Sequence, residues 1–152
     1  TISIYKEGIE HYEEWLKSIY PNTLECFNVL VDCANGSNSY IAEKVLKDLK
    51  CKVTVINNKP DGKNINNGCG STHLESIKEE IKKGDYDFAF AFDGDADRVL
   101  FVDKDGETVD GDKMMFILSN YLNKNNKLKD KTLVTTVMSN IGLYKVLNKV
   151  VI

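Results

Sequence analysis

The chain has 152 residues, 42% hydrophobic and 28% charged, with a formal net charge of −3 and a pI near 5.4. That composition is globular, with length for one core and part of another. Its slight acidity argues against a nucleic-acid surface, and no run approaches the roughly 20 apolar residues of a membrane helix.

The N-terminus carries no charged-then-apolar signal and begins at Thr1, so a longer parent chain is expected. The four cysteines, Cys26, Cys33, Cys51 and Cys69, form no C-x-x-C pair. They read as reduced thiols of a cytoplasmic protein rather than zinc ligands.

Along the chain, Tyr5, Ile9, Tyr12, Leu16 and Ile19 recur at helical spacing over residues 3–19, with Trp15 read as core, and Pro21 and Asn22 end the stripe. "CFNVLVDC" (26–33) reads as a buried strand. "ANGSNS" (34–39) turns the chain and offers Ser or Asn as a cap for a helix with Ile41, Val45 and Leu49. "CKVTVIN" (51–57) is a second strand. The turn-rich stretch 58–72 is too long for a mere connector. Thr72 and Glu75 fit a capping box that opens a helix with Leu74, Ile77 and Ile81.

"DFAFAF" (87–92) and "VLFVD" (99–103) are further strands; a helix follows "VDGD" (109–112), then a strand at 132–137 and a helix from 139. This alternation predicts an α/β fold of three layers, a mixed, mainly parallel sheet flanked by helices. Residues 1–108 read as one domain and 109–152 as the first strand–helix unit of a similar second one.

Between the third and fourth strands stands "DGDADR" (93–98). Three like charges within five residues repel one another and call for a cation. Carboxylates at i, i+2 and i+4 on a loop beyond a strand's carboxyl end suit a hard ion such as Mg²⁺ or Ca²⁺. An EF-hand is excluded: Arg98 stands where it needs Gly, Lys104 where it needs Glu, and strands flank the loop. Arg98 beside the cluster points to a phosphoryl group lying on both.

"DGDADR" (93–98) resembles the metal loop of the α-D-phosphohexomutase superfamily. "VDCANGS" (31–37), "PDGKNINNGCGSTH" (60–73), "VDGDKMMFIL" (109–118) and "TTVMSNIGL" (135–143) resemble its bacterial phosphoglucosamine mutase branch. The resemblance covers nearly the whole chain. It implies the second of four domains and the beginning of the third.

It further implies conversion of glucosamine 6-phosphate to glucosamine 1-phosphate through an enzyme phosphoserine and a bisphosphate intermediate. Asp93, Asp95 and Asp97 match the family's Mg²⁺ ligands, and Arg98 its contact to the transferring phosphoryl group. The phosphoserine loop, of T-A-S-H-N-P type, has no match here, and Ser71 in "CGSTH" is not it. The sugar-selecting and phosphate-clamping loops also have no match, so the partners implied are a phosphosugar and the remaining domains of the parent.

Other residues carry two readings each. His73 is a substrate contact or a polar residue of a helix's first turn. The amides of Gly70, Ser71 and Thr72 hold an anion or belong to a plain cap. Asp110 and Asp112 are secondary site residues or caps. His11, among Glu10, Glu13 and Glu14, reads as a solvated surface residue. Two other functions compete: a phosphomannomutase or phosphoglucomutase of the same superfamily, and a stand-alone Mg²⁺-dependent phosphatase with Asp93 as nucleophile. A non-catalytic assembly module is a third class.

Overall fold

The computed structural model describes residues 4–20 and 22–150, and the chain divides into two compact units, 1–108 and 109–152.

In the first unit, helix α1 (Gly8–Ile19) precedes strand β1 (Asn28–Asp32), helix α2 (Ala42–Asp48), strand β2 (Lys52–Ile56), helix α3 (Glu75–Ile81), and strands β3 (Phe88–Phe92) and β4 (Val99–Asp103). With β5 (Thr108–Val109) the strands form one mixed sheet in the order β2-β1-β3-β4-β5. β1 runs parallel to β2 and to β3, because helical crossovers join them. β4 runs antiparallel to β3, because only the short 93–98 loop separates them.

The alternation of β3 serves two cores. Ala89 and Ala91 pack with Leu30, Val102, Ile77 and Ile81 under α3. Phe88, Phe90 and Phe92 pack on the opposite face with Val29, Val31, Cys33, Ala42 and Leu46. The aromatic side is knit by close ring pairs, Phe90–Phe92 at 5.5 Å and Phe90–Phe101 at 5.6 Å between centroids. Each fully buried aliphatic side chain, such as Leu30 or Ile77, contributes about 2 kcal/mol. The result is the expected three-layer α/β arrangement.

Helix α1 departs from expectation. Trp15 is 56% exposed, and Ile9, Tyr12 and Ile19 are exposed with it, whereas Glu13 is buried. Lys44 of α2 pairs with Glu13, so a salt bridge between the two helices takes the inward position that the apolar stripe had claimed. Pro21 lies outside the described residues.

In the second unit, α4 (Gly111–Lys124) and α5 (Ile141–Val150) are separated by a segment whose one regular piece is a short 3₁₀ turn at Lys129–Lys131. Asp110 caps α4 by accepting from Lys113 N at 2.9 Å. The strand expected at 132–137 is not formed: no strand lies beside it among the described residues, and Val134 and Val137 are exposed. A strand's backbone groups need such a neighbour. No described helix is long and apolar enough to cross a membrane.

Candidate functional site

The "DGDADR" loop is a hairpin connection at the carboxyl end of β3. Asp93 N donates to Arg98 O at 3.3 Å and Ala96 N to Asp93 O at 3.1 Å, with Ala96 in the left-handed region at φ 62°. This tight curl turns the aspartates together. Asp93, Asp95 and Asp97 each offer a carboxylate oxygen, and these lie within 4.8 Å of one another. Such a set of hard oxygen donors could hold a metal ion.

The three carboxylates are unequal. Asp93 is 1% exposed; Asp95 and Asp97 are exposed. Arg98 donates to Asp93 twice, from Nε at 2.7 Å and from its backbone N at 3.1 Å. Burial opposes ionisation of Asp93, but the bonds and charge of Arg98 outweigh it and hold the carboxyl below its ordinary range. Asp97 goes the other way: the negative charge of Asp95, then that of Asp93, pushes it up despite Arg98 nearby. One arginine therefore bonds the inner aspartate closely and reaches Asp97 only at 3.6 Å, too weakly to offset the negative charge around it. Apart from its Nε, the Arg98 side chain reaches into solvent, 69% exposed.

Two further loops cradle this one. Ser37 N donates to Gly94 O at 2.9 Å, and Gly36 comes so near that a Cβ on it would sit 2.2 Å from the same oxygen. On the other side Ser71 N donates to Phe92 O at 2.9 Å, and Gly70, at φ 75°, leaves room for no side chain against Ala34 and Phe92. Asn66 and Ile65 cover Gly94. The long 58–72 stretch is thus part of the acidic loop's wall. Its glycines read as turn residues and Asp32, at the end of β1, as part of the strand 26–33, and neither reading gave a sign of what these residues would touch.

The remaining candidates distribute as follows. His73 is exposed in the turn before the cap of α3 rather than in its first helical turn, its Nδ1 3.2 Å from Thr72 Oγ1. The capping box does not form, because Leu74 is the cap residue and no side chain bonds there. The Gly70 and Ser71 amides are already engaged, with Asp32 Oδ2 and Phe92 O, and are not open to an anion. Asp112 accepts from Asn140 N and Nδ2, at 3.2 and 2.8 Å, within the second unit. His11 is exposed against Tyr5. All four cysteines are free; burial, with Asp32 and Glu43 adding, pushes Cys33 up to about 12, so that thiol is unreactive.

With this geometry in view, comparison with known proteins is specific. A model of the phosphoglucomutase/phosphomannomutase α/β/α domain II matches residues 6–106, and one of domain III matches residues 110–152. The chain belongs to the phosphoglucomutase/phosphomannomutase family. It is 54% identical over 134 residues to a phosphoglucosamine mutase of Caldicellulosiruptor saccharolyticus, covering 88% of this chain and 30% of that protein. To the phosphoglucosamine mutase of Streptococcus mutans it is 47% identical over 145 residues, 95% of this chain and 32% of that one. The crystal structure of a phosphoglucomutase/phosphomannomutase family protein from Burkholderia thailandensis matches with a TM-score of 0.65 at 26% identity, over 78% of this chain and 26% of that one. The chain therefore spans about a third of the length of the curated relatives it matches.

Proposed function

We propose that this chain is the metal-loop portion of a phosphoglucosamine mutase that interconverts glucosamine 6-phosphate and glucosamine 1-phosphate in the cytoplasm. The observation that carries the reading is the convergence of Asp93, Asp95 and Asp97 at a strand end, with Arg98 beside them, in a family of phosphosugar mutases. The three aspartates would hold Mg²⁺. When bound, that ion offsets the charge of the phosphoryl group being transferred.

The chain's own residues supply the rest of what this loop would do. Arg98 spends its Nε on Asp93, which fixes the side chain's base and leaves its exposed tip to meet phosphoryl oxygens. A cation held in place before the reaction stabilises charge as it develops. His73, exposed on the neighbouring loop, would contact the sugar phosphate. The serine that carries the phosphoryl group and the loops that select the sugar would come from the other domains of the parent. A stand-alone phosphatase is disfavoured, because the proposed nucleophile Asp93 is buried and already bonded twice to Arg98.

The deciding experiment is an assay of the full-length parent with glucosamine 6-phosphate, mannose 6-phosphate and glucose 6-phosphate, read by ³¹P NMR. Fastest isomerisation of the first is expected. Preference for mannose 6-phosphate or glucose 6-phosphate would move the protein to another branch of the family, and release of inorganic phosphate without isomerisation would favour the phosphatase.

A further inference from the structure

Asp32 is a charged-type side chain at the end of β1 with no exposure at all, and neither the metal loop nor the sheet ladder explains it. Its two carboxylate oxygens go to two different loops. Oδ1 accepts from Ala34 N at 2.8 Å, and Oδ2 accepts from Gly70 N at 2.9 Å. Both loops then grip the acidic loop directly. From the first, Ser37 N donates to Gly94 O; from the second, Ser71 N donates to Phe92 O, the residue before Asp93. A further bond, Asn66 N to Ala34 O at 2.9 Å, ties the two loops to each other.

The local backbone needs such an anchor. Ala34 and Asn35 lie consecutively in the left-handed region, at φ 53° and 49°, where side-chain-bearing residues seldom rest without support. That turn brings Gly36 against Gly94, and it begins at the amide that Asp32 accepts.

We infer that Asp32 is a positioning residue for the acidic loop: through Ala34 and Gly70 it sets the two walls between which Asp93, Asp95 and Asp97 converge. The inference rests on the reading of that loop as a metal site. A carboxylate is suited to the task because it has an acceptor oxygen for each of the two amides, whereas the amide of Asn keeps one acceptor oxygen and puts a donor in place of the other.

The test uses Asp32→Asn and Asp32→Ala in the full chain, with Mn²⁺ binding followed by electron paramagnetic resonance and amide hydrogen exchange followed by NMR. Asp32→Asn keeps one acceptor oxygen and remains informative if Asp32→Ala does not fold. Expected are faster exchange at the Gly70 amide, altered exchange at Ser37, Ser71 and Arg98, and about tenfold weaker Mn²⁺ binding, well below the melting temperature. A lowered melting temperature with unchanged Mn²⁺ affinity and unchanged exchange at Ser37, Ser71 and Arg98 would overturn the inference, leaving Asp32 a local structural residue. If the unaltered chain binds no Mn²⁺ while Asp95→Asn behaves identically, the metal reading falls. Asp32 is then judged on the amides alone: altered exchange at Ser37, Ser71 and Arg98 supports its hold on the loop, and unaltered exchange refutes it.

Discussion

Arg98 grips Asp93 with both its backbone and its side chain, N to Oδ1 at 3.1 Å and Nε to Oδ2 at 2.7 Å, although the two residues are only five apart and differ sharply in exposure, 69% against 1%. The pair closes the acidic loop before any ion arrives, and its consequences can be measured.

Removing Arg98 should make stability less dependent on acid. Asp93 has a folded-state pKa below its unfolded value, so it contributes stability that is present above about pH 4 and is lost as pH falls through the folded value. Arg98→Ala should therefore lower the melting temperature at pH 7 and progressively less towards pH 2. A gap of constant size across that range would show that the arginine acts through packing alone.

Asp97 has the opposite sign. Its folded-state pKa is raised, chiefly by Asp95, so its ionisation costs stability as pH rises through and beyond about 4. In EDTA at pH 7, Asp97→Asn should melt slightly above the unaltered chain. In about 10 mM Mg²⁺ the order should reverse, because the ion relieves the repulsion only where the carboxylate remains. Identical melts of the two chains in both buffers would remove the electrostatic basis of the site.

Magnesium should bind this chain weakly, since three carboxylates must displace tightly held water without help from a phosphoryl ligand. A millimolar dissociation constant, about 4 kcal/mol, is expected. At ten times that concentration the folded state gains roughly 1.4 kcal/mol, a rise of a few degrees in melting temperature. Asp95→Asn should abolish most of the rise and, in the full-length parent, cut the proposed mutase activity heavily with the circular-dichroism spectrum unchanged. Micromolar affinity, measured by titration calorimetry, would mean that further ligands are present.

Gly36→Ala should cost about 2 kcal/mol, because its Cβ would lie 2.2 Å from the Gly94 carbonyl oxygen and neither backbone can yield easily. Gly111→Ala, where nothing lies within 4 Å, should be neutral or slightly stabilising at the start of α4. Denaturant unfolding of both variants checks the contrast. Equal midpoints would show that the acidic loop is not held as tightly as its contacts imply.

Local pattern was enough for β1 to β4, for α2 to α5 and for the acidic loop, because periodicity, turn chemistry and the two-residue spacing of the aspartates all act within a few residues; it left Asp110 open between a cap and a site residue. What depended on distant partners was decided only by the tertiary structure. The buried side chain of α1 is Glu13 rather than Trp15 because Lys44, on another helix, stands opposite it. The Gly70 and Ser71 amides are engaged because Asp32 and Phe92 reach them from other strands. Residues 132–137 have strand composition but no strand beside them among the described residues, and the ladder bonds that make a strand belong to two segments, not one. Asp93, Asp95 and Asp97 look alike in the sequence; burial and Arg98 on one, mutual repulsion on another, divide them, and such inequality arises only once the chain has folded around them.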